Sequence, residues 1–340
     1  MAKIGLIDVD GRNKFPNLAL MRISAWHKAQ GDQVEWWMGD FFHYDKVYMS
    51  KVFSNAYSPD VDEPMNADEV IKGGTGYCIT KGPDGKEVFD ESKNVKLPDE
   101  MERMFPDYSI YPQFNFAVAM TSRGCPRGCA FCHVAAKEGR CAVKVADVFD
   151  FWRPGGQPLI KVLDPNITAC KDKRDLMRQY RETGVEIDFT QGLDIRCLNE
   201  ADMEDLSRMR LSNVHFAWDN PKDNLAPKFK AYAERARKNR HGKYGTVFVL
   251  TGFNSTMDEN LYRIYTLRDL GYNPYVMVYD KPNAPQELRK LQRWCNNIRI
   301  FATCEKFEDY VGVGGEYGYR KQRSNSNEGQ VEDYFDSEVI

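Results

Sequence analysis

The chain has 340 residues, of which 42% are hydrophobic and 13% aromatic, and its formal net charge is −3. That balance excludes a wholly disordered chain. With 47 Lys plus Arg against 50 Asp plus Glu, it offers no global field for DNA or an anionic membrane. No apolar run approaches the roughly 18 residues of a membrane span, and MAKIGLIDVDG lacks a signal-peptide layout, so a cytoplasmic protein is expected. At roughly 150 residues per domain the length predicts about two domains.

In chain order, IGLIDV (4–9) predicts a buried strand and 17–30 a helix with Leu18, Met21 and Ala25 on one face and Gly31 as its stop. QVEWW (33–37) and KVYMSKVF (46–53) predict two further strands. EVIKGGTGY (69–77) reads as a strand ending in a glycine turn, and PDG (83–85) as a hairpin or surface turn. This order suits a small Rossmann-like α/β domain. Residues 97–113, with Pro98, Pro106 and Pro112, read as a linker, so the first domain with its linker is placed at 1–114.

From residue 115 to 311, strands are expected at 116–121, 159–163, 186–190, 213–217, 246–251 and 274–279. Helices alternate with them, the clearest at 223–238 and 257–270. Six strand–helix units imply parallel strands and right-handed crossovers. Curled up they make a partial (β/α)6 TIM-type barrel with its site on the loops after each strand; a flat doubly wound sheet is the alternative. Residues 312–340 are polar and expected to be a loose tail. ERARKNRHGK (234–243) reads as a solvated basic helix end.

Nine cysteines are present, and Cys125, Cys129 and Cys132 lie within eight residues of TSRGCPRGCAFCHV (121–134). Gly124, Pro126 and Gly128 make this a tight loop able to wrap a cluster closely. Thiolates hold iron–sulfur clusters, and three in place of four leave one iron open to another ligand. The competing reading is a non-enzymatic module, with zinc or a fully ligated cluster completed by His133, Cys141 or Cys170. The other cysteines read as small packing residues.

This CxxxCxxC after the first strand of the second region, with Phe131 before its last cysteine, resembles the radical S-adenosylmethionine (SAM) enzymes over about residues 115–310. The resemblance implies a 4Fe–4S cluster on Cys125, Cys129 and Cys132. Its open iron would bind SAM, whose reductive cleavage to a 5′-deoxyadenosyl radical starts modification of a substrate. It also implies a reductant partner such as a flavodoxin or ferredoxin. Phe131, Asp164, Asn166, Gln191, Arg196 and Asp219 are the expected cofactor contacts. Asp164 and Asn166, in LDPN (163–166), would take the SAM amino group. Arg196 would pair with its carboxylate, and Asp219, ending FAWDN (216–220), would take the ribose hydroxyls. The layout is closest to the branch with an N-terminal cobalamin-binding-like domain. DVDG (8–11) lacks the histidine of that branch's Asp-x-His-x-x-Gly motif, so cobalamin is the less expected ligand. Substrate and reaction subclass are not legible, and nucleic acid is not indicated.

Overall fold

The computed structural model describes residues 1–83, 85–239 and 244–311, which divide into two compact units, 1–186 and 187 onward. The expected tail at 312–340, Asp84 of the PDG turn, and residues 240–243 of the basic stretch lie outside the described residues.

The first unit begins with β1 (Lys3–Asp8), α1 (Leu18–Ala29), β2 (Gln33–Trp36), β3 (Tyr44–Ser50) and β4 (Ala67–Gly73). The strands form one all-parallel sheet in the order β2-β1-β3-β4, with Ile4 opposite both Val34 and Lys46. Asn17 caps α1, its side chain accepting from the Leu20 amide at 3.2 Å. The helix buries Leu20, Met21 and Ile23 and stops before Gly31, whose φ is +84°. Ile4, Leu6, Leu20, Ile23, Tyr48 and Met101 share one core.

The strand read in 69–77 ends in its glycine turn as expected: β4 stops at Gly73, and Gly74, at φ +103°, turns the chain into the helical turn α2 (Thr75–Cys78). A hairpin of β5 (Ile79–Lys81) and β6 (Glu87–Phe89) follows, as the turn signal predicts. The stretch read as a linker carries α3 (Asp99–Glu102) and is packed into the unit. Met101 is 6% exposed, and Tyr111, 1% exposed, joins a core with Met21 and Val118. The Asp107 carboxylate accepts from Ser24 Oγ at 2.7 Å. Prolines there set local direction, while burial is set by the aromatic and apolar residues between them.

Beyond it, β7 (Ala117–Ala119) pairs in parallel with β10 (Leu159–Val162). Between them in sequence lie β8 (Ser122–Arg123), α4 (Val134–Glu138) and β9 (Val143–Lys144), with β8 and β9 antiparallel. α5 (Lys173–Glu182) closes the unit.

The second unit runs β11 (Glu186–Leu193), α6 (Glu200–Arg208), β12 (Leu211–Ala217), α7 (Ala226–Lys238), β13 (Thr246–Thr251), α8 (Met257–Asp269), β14 (Asn273–Val278), α9 (Gln286–Asn296) and α10 (Ile298–Thr303). Consecutive strands are parallel neighbours, joined by helical crossovers. Reciprocal capping boxes start α6 (Asn199 with Asp202) and α8 (Thr256 with Glu259). Phe216, Phe229, Tyr232 and Tyr272 pack edge to face in an aromatic core, and Trp218 lies tilted against Phe229.

All six strands expected after residue 115 are present: two pair in parallel in the first unit, and four pair in parallel in the second. Among the described residues no closed barrel is shown. No helix among them is long and apolar enough to cross a membrane.

Candidate functional site

The cysteine loop starts where β8 ends and is pinned through its backbone. Gly124 has φ +86°, and a Cβ there would stand 2.1 Å from the Cys141 carbonyl oxygen. Only glycine passes this point. The Cys125 amide donates to the Gly139 carbonyl at 3.1 Å, and the Cys132 amide to the Cys129 carbonyl at 3.0 Å. Gly128, at φ +57°, lies against the Arg140 guanidinium, 2.8 Å from where a Cβ would be. At the loop's base Arg123 pairs with Glu102 at 2.9 Å and with the buried Glu138 carboxylate at 3.7 Å. Lys137 on α4 donates to Thr75 Oγ1 at 2.6 Å, and burial pulls its pKa down.

The end of β10 grips this loop from beneath. Asp164, 3% exposed, accepts from the Thr121 amide (2.9 Å), from Thr121 Oγ1 (2.8 Å) and from the Ser122 amide. Burial raises its pKa to about 6 against the lowering effect of these donors. The carboxylate expected to meet the SAM amino group thus fixes the chain entering the cysteine loop. Asn166, 4% exposed, caps the turn at Ile167–Ala169. Its Oδ1 accepts from Thr168 Oγ1 (2.9 Å) and the Ala169 amide (3.2 Å), and its Nδ2 donates to Cys125 Sγ at 3.3 Å.

Cys125 and Cys129 are half-buried and Cys132 is exposed; each of the nine cysteines is a thiol. Among the described residues no group of three or more His, Cys, Asp or Glu side chains is gathered as a metal site. The donor chemistry nevertheless fits a cluster. Three thiols share one glycine-bound loop, and a buried amide already donates to one of the sulfurs. Phe131 is half-buried between Ala130 and Cys132. Of the alternative ligands, Cys141 is exposed and lends its carbonyl, not its thiol, to the loop's packing, while Cys170 is buried with its pKa raised by that burial.

The remaining expected contacts lie in the second unit. Arg196, half-buried, donates through Nε to Asp194 (2.7 Å) and through Nη1 to Asp223 (2.5 Å), so two of its donors are already paired within the chain. Asp219 belongs to the same charge group. Burial raises its carboxyl to about 6, opposed by the charges of Arg263 and Arg196. Gln191 is half-buried on β11.

Arg263, fully buried, is a residue that the sequence reading missed. It donates to the Trp218, Asp219 and Leu250 carbonyls at 2.6, 3.0 and 2.9 Å and to Asn260 Oδ1 at 2.6 Å, which ties the ends of β12 and β13 together. Burial lowers its pKa to about 10. The signal in the sequence was Asn260 and Arg263, a polar pair three residues apart on the face of α8 that also carries Ile264 and Leu267.

In the first unit a cavity of about 420 Å³ opens beside the ends of β1 and β2, lined by Asp8, Gly11, Arg12, Lys14, Trp36 and Trp37 among others. Both DVDG carboxylates serve the fold. Asp8 accepts from Tyr111 Oη at 2.7 Å, and Asp10 accepts from the Val52 and Phe53 amides. Among the described residues no histidine lines the cavity, so none of them offers an imidazole to a corrinoid there.

No protein-family model and no curated protein matches the chain.

Proposed function

We propose that the protein is a cytoplasmic radical SAM enzyme whose parallel strands after residue 115 belong to a partial (β/α)6 barrel. The observation that carries this is the CxxxCxxC loop that follows the parallel strand β7 by way of the short β8, with a buried amide donating to its first sulfur. A cluster held by these thiolates would supply the electron for reductive cleavage of SAM, the source of the radical that would act on the substrate.

In this reading Cys125, Cys129 and Cys132 are the cluster ligands. Gly124 and Gly128 let the backbone close around it. Asp164 holds the entry to the loop in place through Thr121 and Ser122. The assignment of Phe131, Gln191, Arg196 and Asp219 as contacts to SAM stands on the sequence resemblance alone. A low-potential protein such as a flavodoxin or ferredoxin would supply the electron.

The test is anaerobic reconstitution with iron and sulfide, followed by dithionite and SAM. About four irons per chain and formation of 5′-deoxyadenosine are expected. An intact cluster that yields no 5′-deoxyadenosine sinks the enzyme reading. One zinc and no iron in protein purified without oxygen would favour the structural module instead.

A further inference from the structure

Asn166 was expected to reach SAM, but its surroundings assign it to a sulfur. An asparagine amide has an acceptor end and a donor end. Here the acceptor end is taken by two donors, Thr168 Oγ1 at 2.9 Å and the Ala169 amide at 3.2 Å. Flipping the amide would set its NH2 against the Ala169 N–H, which can only donate, so that backbone amide fixes the orientation and the Thr168 hydroxyl follows it as a donor. The NH2 then faces Cys125 Sγ at 3.3 Å. The side chain is 4% exposed, so water does not compete for that donor. A buried N–H aimed at a sulfur gains most when the sulfur is negative, because hydrogen bonds to ionised acceptors are about twice as strong as neutral ones.

We propose that Asn166 is a positioning residue for the cluster, its amide donating to the Cys125 sulfur and raising the potential at which the cluster accepts an electron. The proposal rests on the cluster reading above. The physical reason is charge: reduction adds an electron to a group held by anionic sulfurs, and a donor on one sulfur stabilises the reduced state more than the oxidised one. Hydrogen bonds to the sulfurs are one of the recognised levers on cluster potential. Asp164 and Asn166 then divide one task, the first fixing the loop's entry and the second its first ligand.

The test compares reconstituted wild-type protein with Asn166→Ala, Asn166→Asp and Thr168→Val by redox titration followed by electron paramagnetic resonance, with iron and sulfide counted for each. Asn166→Ala should weaken reduction about tenfold, a fall of about 59 mV for a one-electron couple. Asn166→Asp should fall further, since it replaces the donor by a negative acceptor. Thr168→Val removes one of the two donors that hold the amide oxygen and should fall by less than Asn166→Ala. Equal potentials in wild type and both Asn166 variants at full iron load overturn the proposal. If neither Asn166 variant loads iron, a wild-type potential in Thr168→Val overturns it. A wild-type chain that takes up no iron or sulfide refutes the cluster reading itself, a result distinct from an unmoved potential.

Discussion

Replacing Asp164 tests whether the end of β10 sets the geometry of the cysteine loop. The carboxylate accepts two backbone amides, Thr121 and Ser122, and the Thr121 hydroxyl, all buried. Asp164→Ala removes both amide acceptors at once. The hydroxyl keeps a neighbour in Tyr180 Oη at 3.3 Å, so the loss falls on the two N–H groups. A hydrogen bond to a charged acceptor is worth about 1.5–3 kcal/mol. Local opening at each amide should therefore become about 10- to 150-fold easier, at 1.4 kcal/mol per factor of ten. The assay is hydrogen exchange resolved to single amides. Thr121 and Ser122 should exchange faster by that factor. The Leu163 amide, which donates to the Ala119 carbonyl at 2.8 Å within the β7–β10 pair, should stay slow. Asp164→Asn keeps one carbonyl oxygen and should spare one of the two amides. Unchanged exchange at both amides in Asp164→Ala would refute the clamp, and loss of protection throughout the β7–β10 pair would show a core residue in its place.

Gly124→Ala should destabilise the loop by about 2–4 kcal/mol, from left-handed backbone strain plus a collision with the Cys141 carbonyl, read as a lower denaturation midpoint and poor iron uptake. Gly139→Ala is the comparison: its φ is +93° but a Cβ meets nothing within 4 Å, so it should cost the backbone strain alone, about 1–3 kcal/mol, without the collision. Arg263→Met should cost about 3–5 kcal/mol in urea titration, because the Trp218, Asp219 and Leu250 carbonyls lose their shared donor. Asp219, whose folded pKa is raised from 3.8 to about 6, binds its proton more tightly folded than unfolded. Its contribution to stability is complete below about pH 4 and is lost as the pH rises through 6. Asp219→Asn should therefore flatten the fall in melting temperature between pH 4 and 6, and an unchanged slope would exclude Asp219 as its source.

The alternating elements were legible because β-branched runs such as TVFVLT (246–251) and helix stripes such as Phe229, Tyr232, Ala233 and Ala236 are local patterns. Where tertiary packing decides, the sequence misleads. Proline signals at 97–113 are genuine turn signals, yet Met101 and Tyr111 between them are core residues. Local pattern marks where the chain bends, and burial depends on partners as far away as Asp8, which accepts from Tyr111 across 103 residues. The pairing of Arg196 with Asp223, 27 residues on, was hidden for the same reason.

The cysteine spacing was plain in the sequence, while the roles of the polar residues around it were not. A polar side chain at a strand end can face a ligand or satisfy the chain's own exposed backbone groups, and both uses select the same residue types. Asp164 shows how the ambiguity resolves. Its neighbours Thr121 and Ser122 lie where the link after β7 runs into β8, which leaves amides that need an acceptor, and a carboxylate 43 residues from Thr121 supplies it. Asn166 sits two residues further along the same loop, yet its outcome differs. Its acceptor end is spent on the turn it caps, so its remaining donors must find something able to accept, and the atom within reach is a cysteine sulfur. The sequence supplies the inventory of donors and acceptors; which of them are left over for chemistry depends on the pairing that folding has already made.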